Sequence, residues 1–445
     1  MKQFLSILLL CNMSLAHSRS YITNQESSMI DFSQWFLNKT MRFDYYHAGS
    51  ATTETIYFDE IIEEPHFAGS KTSLIDDFGY GAYRFRITDK ASGTLLYQRG
   101  YCTLMQEWMT TPEAKTMSRA MPESITFPYP RKAVTLTIEV RDKKNAFHKL
   151  YSQDIDPESY FIRKFTPTLE TMDIAYQGNA EKAVDVVLIP EGYTEADKAE
   201  FMKDCNKFAE SLFSYAPYGD NKHRFNIRAV WAPSQDSGVS IPGENIWKNT
   251  ACKAMYYTFD SERYQMTDDM QNLRDIAAHV PYDYIYIISN SQKYGGGAIY
   301  NWYGISAAHI YSRPESTRKT YAHEFGHLLL GLGDEYVGGS DTDLYAPGTE
   351  PWEANLTALV DGKCKWQDMM DAKTPLPTPH PKGYDRANSY DMKDWKLGAY
   401  EGGGYLEKGI YRPMPNCMMN WMHTQDLFCP VCDKTIREYI AFLTK

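Results

Sequence analysis

The sequence predicts a multidomain α+β protein in which a β-sandwich-like domain precedes an α/β domain. Two patterns predict this order: short alternating strands up to about residue 165, and alternating strands and helices after it. The length of 445 residues suits two or three domains. The formal net charge of −11 repels phosphate backbones, and no Lys/Arg block is present, so we expect no nucleic-acid partner.

Residues 1–16 have the pattern of a secretory signal peptide. Lys2 provides a positive start, residues 4–10 are nearly all apolar, and Ser14-Leu15-Ala16 offers a small-x-small cleavage site. No run reaches the roughly 20 apolar residues that a membrane helix needs, so we expect no transmembrane segment. Cys11 follows three leucines rather than a small residue, which gives lipidation no support. We therefore expect an exported protein that is secreted, periplasmic or at the cell surface.

Residues 17–165 are predicted to form the N-terminal β-sandwich domain. Polar and apolar residues alternate over short segments, and between these segments lie Gly, Pro and Asp; the segments are residues 55–58, 83–87, 94–98 and 133–140. The absence of a long helical pattern favours a sandwich. Two roles stay open for this domain, a structural support or a surface that contacts a glycan or a host protein.

Residues 166–445 are predicted to form an α/β domain. An apolar strand over residues 183–190 precedes a helix over residues 195–215, which Thr194 is placed to cap. Two further apolar strands follow at residues 225–231 and 282–289, with a helix predicted over residues 268–279 before the second.

The segment that indicates chemistry is His323-Glu324-Phe325-Gly326-His327, within a predicted helix over residues 318–330. Histidines four apart project from one helix face, so both imidazoles can ligate one metal ion. Glu324 lies one step round the helix, where it can reach a water on the metal rather than the metal itself.

A third ligand is expected after the helix, because Gly331 and Gly333 end it and let the chain turn back. Asp334 is the first candidate and Glu335 the second. An alternative places the ligand on a separate downstream helix, at Glu350 or Glu353, but neighbouring prolines make a helix there unfavourable. Three protein ligands would leave a fourth position open for water.

The C-terminal part contains a methionine-rich turn over residues 414–420, then Cys429-Pro430-Val431-Cys432 and an amphipathic helix over residues 433–443. Metzincin peptidases close their lower subdomain with a methionine turn and a final helix. Met419 is therefore a candidate for the turn methionine.

Eight cysteines are present, and removal of Cys11 with the signal peptide would leave seven, so at least one has no intramolecular disulfide partner. The Cys429–Cys432 pair is similar to a dithiol redox motif at a helix N-terminus, but no thioredoxin-like βαβ unit surrounds it. A disulfide or a small structural metal site is favoured, and three pairings stay open among its four candidates: Cys364, Cys417, Cys429 and Cys432.

Together these motifs resemble the M64 family of metallopeptidases, often named for immunoglobulin A cleavage. The resemblance covers essentially the whole mature chain and implies an N-terminal β-domain followed by an α/β metzincin-like zinc peptidase domain. It implies that His323 and His327 are zinc ligands, Glu324 the catalytic carboxylate and Met419 the turn methionine. The chain departs from the common H-E-x-x-H-x-x-G-x-x-H pattern by one extra residue before the glycine and by an acidic third ligand position, Asp334.

We therefore expect an exported endopeptidase with one catalytic Zn²⁺ that hydrolyses extracellular proteins, immunoglobulin-like or mucosal, with Glu324 as general base. The apolar segment at residues 305–311 is expected to be the cleft-edge strand that pairs with an extended substrate, whereas Gly295-Gly296-Gly297 is interpreted as a loop. The alternative is a non-enzymatic surface protein that binds glycan or protein and holds a structural metal with four protein ligands.

Overall fold

The computed structural model describes residues 30–310, 314–338, 345–380, 395–420 and 427–445. The predicted signal peptide lies outside these ranges. Within them, no helix has both the length and the apolar character needed to cross a membrane.

The N-terminal part consists of two four-stranded sheets and two short helices. In chain order its elements are α1 (Phe32–Trp35), β1 (Phe36–Gly49), β2 (Glu54–Glu64), β3 (Tyr83–Asp89), β4 (Leu95–Tyr101), α2 (Leu104–Trp108), β5 (Arg119–Pro130), β6 (Val134–Arg141), β7 (Phe147–Ile155) and β8 (Arg163–Lys164). One sheet has the order β5-β1-β2-β8 and the other the order β4-β3-β6-β7. The four strand segments predicted from alternation overlap β2, β3, β4 and β6, and the segments at β4 and β6 begin one residue before the observed strands.

Aromatic side chains from the inner faces of the two sheets meet in one core. The ring of Phe43 on β1 lies 6.1 Å from that of Tyr151 on β7, and Phe85 on β3 lies 6.4 Å from Phe127 on β5. On β6, Leu136 and the other apolar residues alternate with more exposed polar ones. The sequence alternation thus places one face of each sheet inside.

A buried histidine links three strands of this part. The ring of His47 on β1 lies 3.2 Å from a carboxylate oxygen of Glu123 on β5 and 3.0 Å from one of Glu54 on β2. Tyr83 on β3 packs edge-on against the same ring. Burial alone would lower the pKa of His47, but the two carboxylates raise it to about 9. The imidazolium is therefore a structural charge at neutral pH.

The C-terminal part is built on a six-stranded sheet. Its elements are β9 (Glu170–Ala175), β10 (Val184–Glu191), α3 (Lys198–Phe213), α4 (Ala216–Gly219), β11 (Phe225–Trp231), α5 (Met270–Ala277), β12 (Tyr284–Ser289), β13 (Gly296–Ala298), β14 (Tyr303–Ala307), α6 (Pro314–Leu330), β15 (Tyr400–Gly403), β16 (Leu406–Arg412) and α7 (Pro430–Leu443). The sheet order is β13-β14-β12-β10-β11-β9, in which the four central strands are parallel and both edges antiparallel.

The central strands are near-continuous apolar runs because both faces of the sheet are covered. Every residue of β10 and of β12 is buried. The helices α3, α6 and α7 contribute to the core on one face, and strands of the N-terminal part contribute to the core on the other. At the start of α3, Thr194 and Asp197 form a capping box, as the predicted cap requires.

The apolar core continues across the predicted boundary at residues 165/166. Tyr101 of β4 stacks on Trp302 with ring centroids 5.8 Å apart. The side-chain amide of Asn301 donates to the carbonyl oxygen of Gly100 at 2.9 Å. The sandwich and the parallel sheet therefore pack against each other through one shared apolar core.

The prediction of the cleft-edge strand is wrong. The strand before the histidine helix is β14, and it is hydrogen-bonded on both sides, to β12 and to β13. The edge of the sheet is β13, formed by Gly296, Gly297 and Ala298. A segment with almost no side chains has no hydrophobic period, which is why the sequence favoured a loop at this position.

Candidate metal centre

The helix α6 places two imidazoles one turn apart. The Nε2 atoms of His323 and His327 lie 3.1 Å from each other. The helix ends at Gly331, whose φ of +64° suits glycine and whose N–H donates to the carbonyl oxygen of His327 at 2.9 Å. A Cβ at Gly331 would also lie 2.5 Å from the ring of Trp352, so the sharp turn requires glycine.

The turn after α6 brings Asp334 back to the two histidines. Its Oδ1 atom lies 3.2 Å from Nε2 of His323 and 3.3 Å from Nε2 of His327. The three atoms form a nearly equilateral triangle. His323 and Asp334 are buried, and His327 is partly exposed. His327 is therefore the member of the triangle nearest to solvent.

Hydrogen bonds on the far side of each ring define which nitrogen is free. Nδ1 of His323 lies 3.0 Å from the carbonyl oxygen of Met418, and Nδ1 of His327 lies 2.5 Å from that of Leu332. A carbonyl can only accept, so each Nδ1 donates and each neutral ring points its Nε2 lone pair into the triangle.

The donor set fits a metal cation. Two imidazole lone pairs and the buried Oδ1 of Asp334, which has no hydrogen-bond donor among the described residues, converge on one point. Acceptors that face one another repel unless a cation lies between them. Ligands about 2.0–2.2 Å from a tetrahedral ion lie roughly 3.3–3.6 Å from one another, close to the observed triangle.

The electrostatics of the group favour positive charge. Burial would raise the pKa of Asp334, yet the two histidines hold it well below its usual range. Burial would lower the pKa of His327, yet Asp334 raises it to about 9, so at neutral pH a metal ion would displace the proton from Nε2 of this ring. Burial raises the pKa of Glu324, which follows His323 on the helix, and its charge acts on both imidazoles. Glu324 therefore lies at the same centre.

The loop between β15 and β16 holds Asp334 from the other side. The hydroxyl of Tyr405 donates to Oδ2 of Asp334, and the N–H of Gly404 donates to the Asp334 carbonyl oxygen at 2.7 Å. Gly404 and Tyr405 both have positive φ. Three consecutive glycines, Gly402–Gly404, precede Tyr405 in the sequence, but nothing in the sequence connects them to Asp334.

Asn355 is a second residue that sequence reasoning missed. Its side-chain amide accepts from the N–H of Gly333 and donates to the Gly333 carbonyl oxygen, both at 2.8 Å. It also donates to Oε1 of Glu335 at 2.9 Å. Asn355 is completely buried, so it clamps the backbone directly before Asp334.

Met419 packs beneath the histidine helix. A Cβ on Gly326, which lies between the two histidines, would be only 3.0 Å from the Met419 sulfur. The carbonyl oxygen of Met419 accepts from the N–H of Glu335 at 2.6 Å. The methionine segment thus contacts both the helix and the turn that carries Asp334.

Glu335, the other candidate third ligand, points to a different group of side chains. Its carboxylate lies with the thiols of Cys417, Cys429 and Cys432, and the four ligand atoms are all within 4.8 Å of one another. Cys364 is not part of this group, contrary to the sequence expectation, and Glu335 occupies the fourth place. All described cysteines are free thiols.

The downstream carboxylates weighed as alternative ligands have other partners. Glu350 accepts hydrogen bonds from the Thr357 hydroxyl and from the N–H of Val360, and Glu353 accepts one from the Tyr345 hydroxyl. These contacts organise the loop after the centre.

Comparison with known protein families finds two matches. The family described as IgA Peptidase M64 matches residues 172–396 and 388–440, which include every residue of the centre. The family described as Peptidase M64 N-terminus matches residues 31–152. A search of curated proteins finds no match. Neither family description refers to glycan, so glycan contact through the N-terminal part has no support from them.

Proposed function

We propose, from the premise that the chain belongs to the IgA Peptidase M64 family, that it is an exported zinc endopeptidase that cleaves extracellular proteins. The family makes the chain a peptidase that acts on protein, and a metal is its expected cofactor. We assign the zinc to His323, His327 and Asp334. The observation that carries this assignment is the convergence of Nε2 of His323, Nε2 of His327 and Oδ1 of Asp334, which lie 3.1–3.3 Å from one another.

Zinc at this position would supply Lewis acidity to a water molecule and to the scissile carbonyl at an open fourth position. Glu324 would accept a proton from the attacking water and return it to the leaving amine. A carboxylate suits this role because its basic form can accept a proton from the water and its acidic form can then donate that proton to the leaving nitrogen.

The remaining contacts keep the centre in one geometry. The carbonyls of Met418 and Leu332 hold each imidazole in the tautomer whose Nε2 faces the metal position. The Tyr405 hydroxyl occupies the second oxygen of Asp334, which leaves Oδ1 as the ligand atom.

An extended substrate can add to the sheet at the Ala298 end of β13, the antiparallel edge strand next to β14. The other end is already bridged, because Gly296 pairs with Tyr264 and its N–H donates to the Arg263 carbonyl oxygen at 3.3 Å. Pairing through main-chain groups gives affinity with little side-chain selection. Cleavage-site preference therefore depends on the loops around the cleft, and the class of extracellular protein stays open between immunoglobulin-like and mucosal substrates.

The test is Glu324→Gln, with Glu438→Gln as its matched control. Glu438 is a surface carboxylate on α7 that pairs only with Lys434 among its described ion pairs. Glu324→Gln should keep its zinc and its melting temperature and lose hydrolysis of a proteome-derived peptide library by about 10²–10⁴-fold. The control should cleave like the wild type. Unchanged cleavage by Glu324→Gln would refute the assignment.

Export is tested separately. Lys2, the apolar run and the Ser14–Ala16 site support cleavage after residue 16. Fractionation of the producing cells and N-terminal sequencing of the mature protein should find a chain that begins at residue 17 outside the cytoplasm. A cytoplasmic chain that retains residues 1–16 would contradict the proposal.

A further inference from the structure

A second group of ligand side chains lies next to the catalytic centre and has no role in the proposed reaction. It consists of Glu335, Cys417, Cys429 and Cys432, and none of the four has measurable exposure to solvent. Its residues adjoin the centre in sequence, because Glu335 follows Asp334.

The distances within the group match a tetrahedral thiolate site. Sulfurs about 2.3 Å from a tetrahedral zinc ion lie roughly 3.8 Å apart, and a carboxylate oxygen lies roughly 3.6 Å from each sulfur. Sγ of Cys417 is 3.8 Å from Sγ of Cys432. Oε1 of Glu335 is 3.3 Å from Sγ of Cys432 and 3.9 Å from Sγ of Cys429.

A disulfide does not account for the group. It needs two sulfurs at about 2.05 Å, would use only two of the three thiols, and would leave the third beside a buried carboxylate. Oε2 of Glu335 has no hydrogen-bond partner among the described residues. The charge of Arg412 acts on this carboxylate, and a cation among the four ligand atoms would compensate its negative charge directly.

The surrounding backbone is arranged to support thiolates. The N–H of Cys429 points to Sγ of Cys417 at 3.2 Å, and the N–H of Cys432 points to Sγ of Cys429 at 3.5 Å. Cys429 is the N-cap of α7, a helix of 14 residues, where the helix dipole also favours negative sulfur.

We propose that Cys417, Cys429, Cys432 and Glu335 bind a second, structural divalent cation that prefers thiolate ligands, with zinc as the first candidate. Three thiols lose their protons to solvent as four metal–ligand bonds form, and no oxidation state changes. Four protein ligands leave no open position, so this ion takes no part in hydrolysis.

The second ion would also position the catalytic ligands. Glu335 holds the turn that presents Asp334, and its N–H donates to the Met419 carbonyl oxygen. Cys417 adjoins Met418, whose carbonyl orients His323. The ion thus ties the helix α7 to both segments that complete the centre.

The experiment counts metal ions per chain in the purified full-length protein by inductively coupled plasma mass spectrometry. The wild type should hold two ions, His327→Ala one, and Cys432→Ser or Glu335→Gln one. Cys205→Ser is the matched control, because Cys205 is equally buried on α3 but belongs to neither group, and it should hold two. Cobalt-loaded His327→Ala should show thiolate-to-cobalt charge-transfer absorption that Cys432→Ser removes from the same background.

The two proposals fail in different ways. A wild-type chain with a single ion that His327→Ala removes would overturn the second site and leave the endopeptidase proposal standing. A wild-type chain with a single ion that persists in His327→Ala would overturn the catalytic zinc site and leave the second site standing. Loss of two thiol hydrogens, located by peptide mapping to two of Cys417, Cys429 and Cys432, would show a disulfide there and overturn the second site. If Cys432→Ser does not fold, Glu335→Gln and the cobalt spectrum of His327→Ala decide.

Discussion

Replacement of Asn355 by alanine should destabilise the protein and weaken metal binding together. The substitution removes three hydrogen bonds of 2.8–2.9 Å and leaves Gly333 N–H, Gly333 C=O and a carboxylate oxygen of Glu335 without that partner. Two neutral bonds of about 1 kcal/mol each and one bond to a carboxylate of about 1.5–3 kcal/mol sum to roughly 3.5–5 kcal/mol. Water that enters the vacated space should return part of this, so we expect a net loss of about 3 kcal/mol.

In a chain region of this size, 1 kcal/mol corresponds to about 2 °C, so the melting temperature should fall by about 6 °C. Thermal unfolding followed by circular dichroism measures it, and competition with a chelator measures metal affinity, which should fall about 10–100-fold. Asn206→Ala is the control, because Asn206 is exposed and donates one local bond to the Met202 carbonyl oxygen. A melting temperature within about 2 °C of the wild type, with unchanged metal affinity, would refute the clamp.

Three other substitutions test neighbouring contacts. Gly326→Ala gains about 1 kcal/mol of helix propensity, but the new Cβ would lie 3.0 Å from the Met419 sulfur and displace it, at a typical cost of about 1–3 kcal/mol. Thermal unfolding should therefore show a lower melting temperature, and a higher one would contradict this close contact. His47→Gln should remove up to about 3 kcal/mol of stability, which the raised pKa of His47 supplies in full below pH ~6.5 and which is lost as the pH rises through about 9. The melting temperatures of the wild type and the variant should therefore converge between these two pH values, and a difference that stays constant would contradict the structural role of the His47 charge. Tyr405→Phe frees an oxygen of the third ligand and should weaken zinc affinity about 10-fold in chelator competition, whereas equal affinity would argue against a positioning role.

Features that depend on neighbouring residues in the chain could be predicted from the sequence. The segments of β10, β11 and α6 follow from apolar runs and helical spacing, because each pattern extends over a few consecutive residues. The pairing of His323 with His327 is of the same kind, since a helix brings positions four apart to one face.

Features that depend on distant residues could not be predicted. Asn355 reaches Gly333 across 22 residues, and Tyr405 reaches Asp334 across 71. Neither residue type has a sequence period or spacing that marks such a contact. The presence of Glu335 in the thiol group, where Cys364 was expected, could not be predicted for the same reason. The turn after α6 directs the adjacent side chains of Asp334 and Glu335 to two different groups.

The short edge strand shows a further limit. Glycines at positions 295–297 have no side chains to alternate, yet β13 forms because β14 offers it an unpaired edge. Tertiary pairing, rather than intrinsic preference, decides the structure of such a segment.

The shared apolar core between the sandwich and the parallel sheet affects how the chain responds to cutting. The connecting segment exposes Tyr160 and Phe161, at 88% and 78%, so a protease can reach it. A nick there breaks the covalent connection but leaves the Tyr101–Trp302 stack and the surrounding hydrophobic contacts intact. The two fragments should co-elute as one species in gel filtration and separate only in denaturant. Expression of residues 166–445 alone would expose the apolar surface that the sandwich covers.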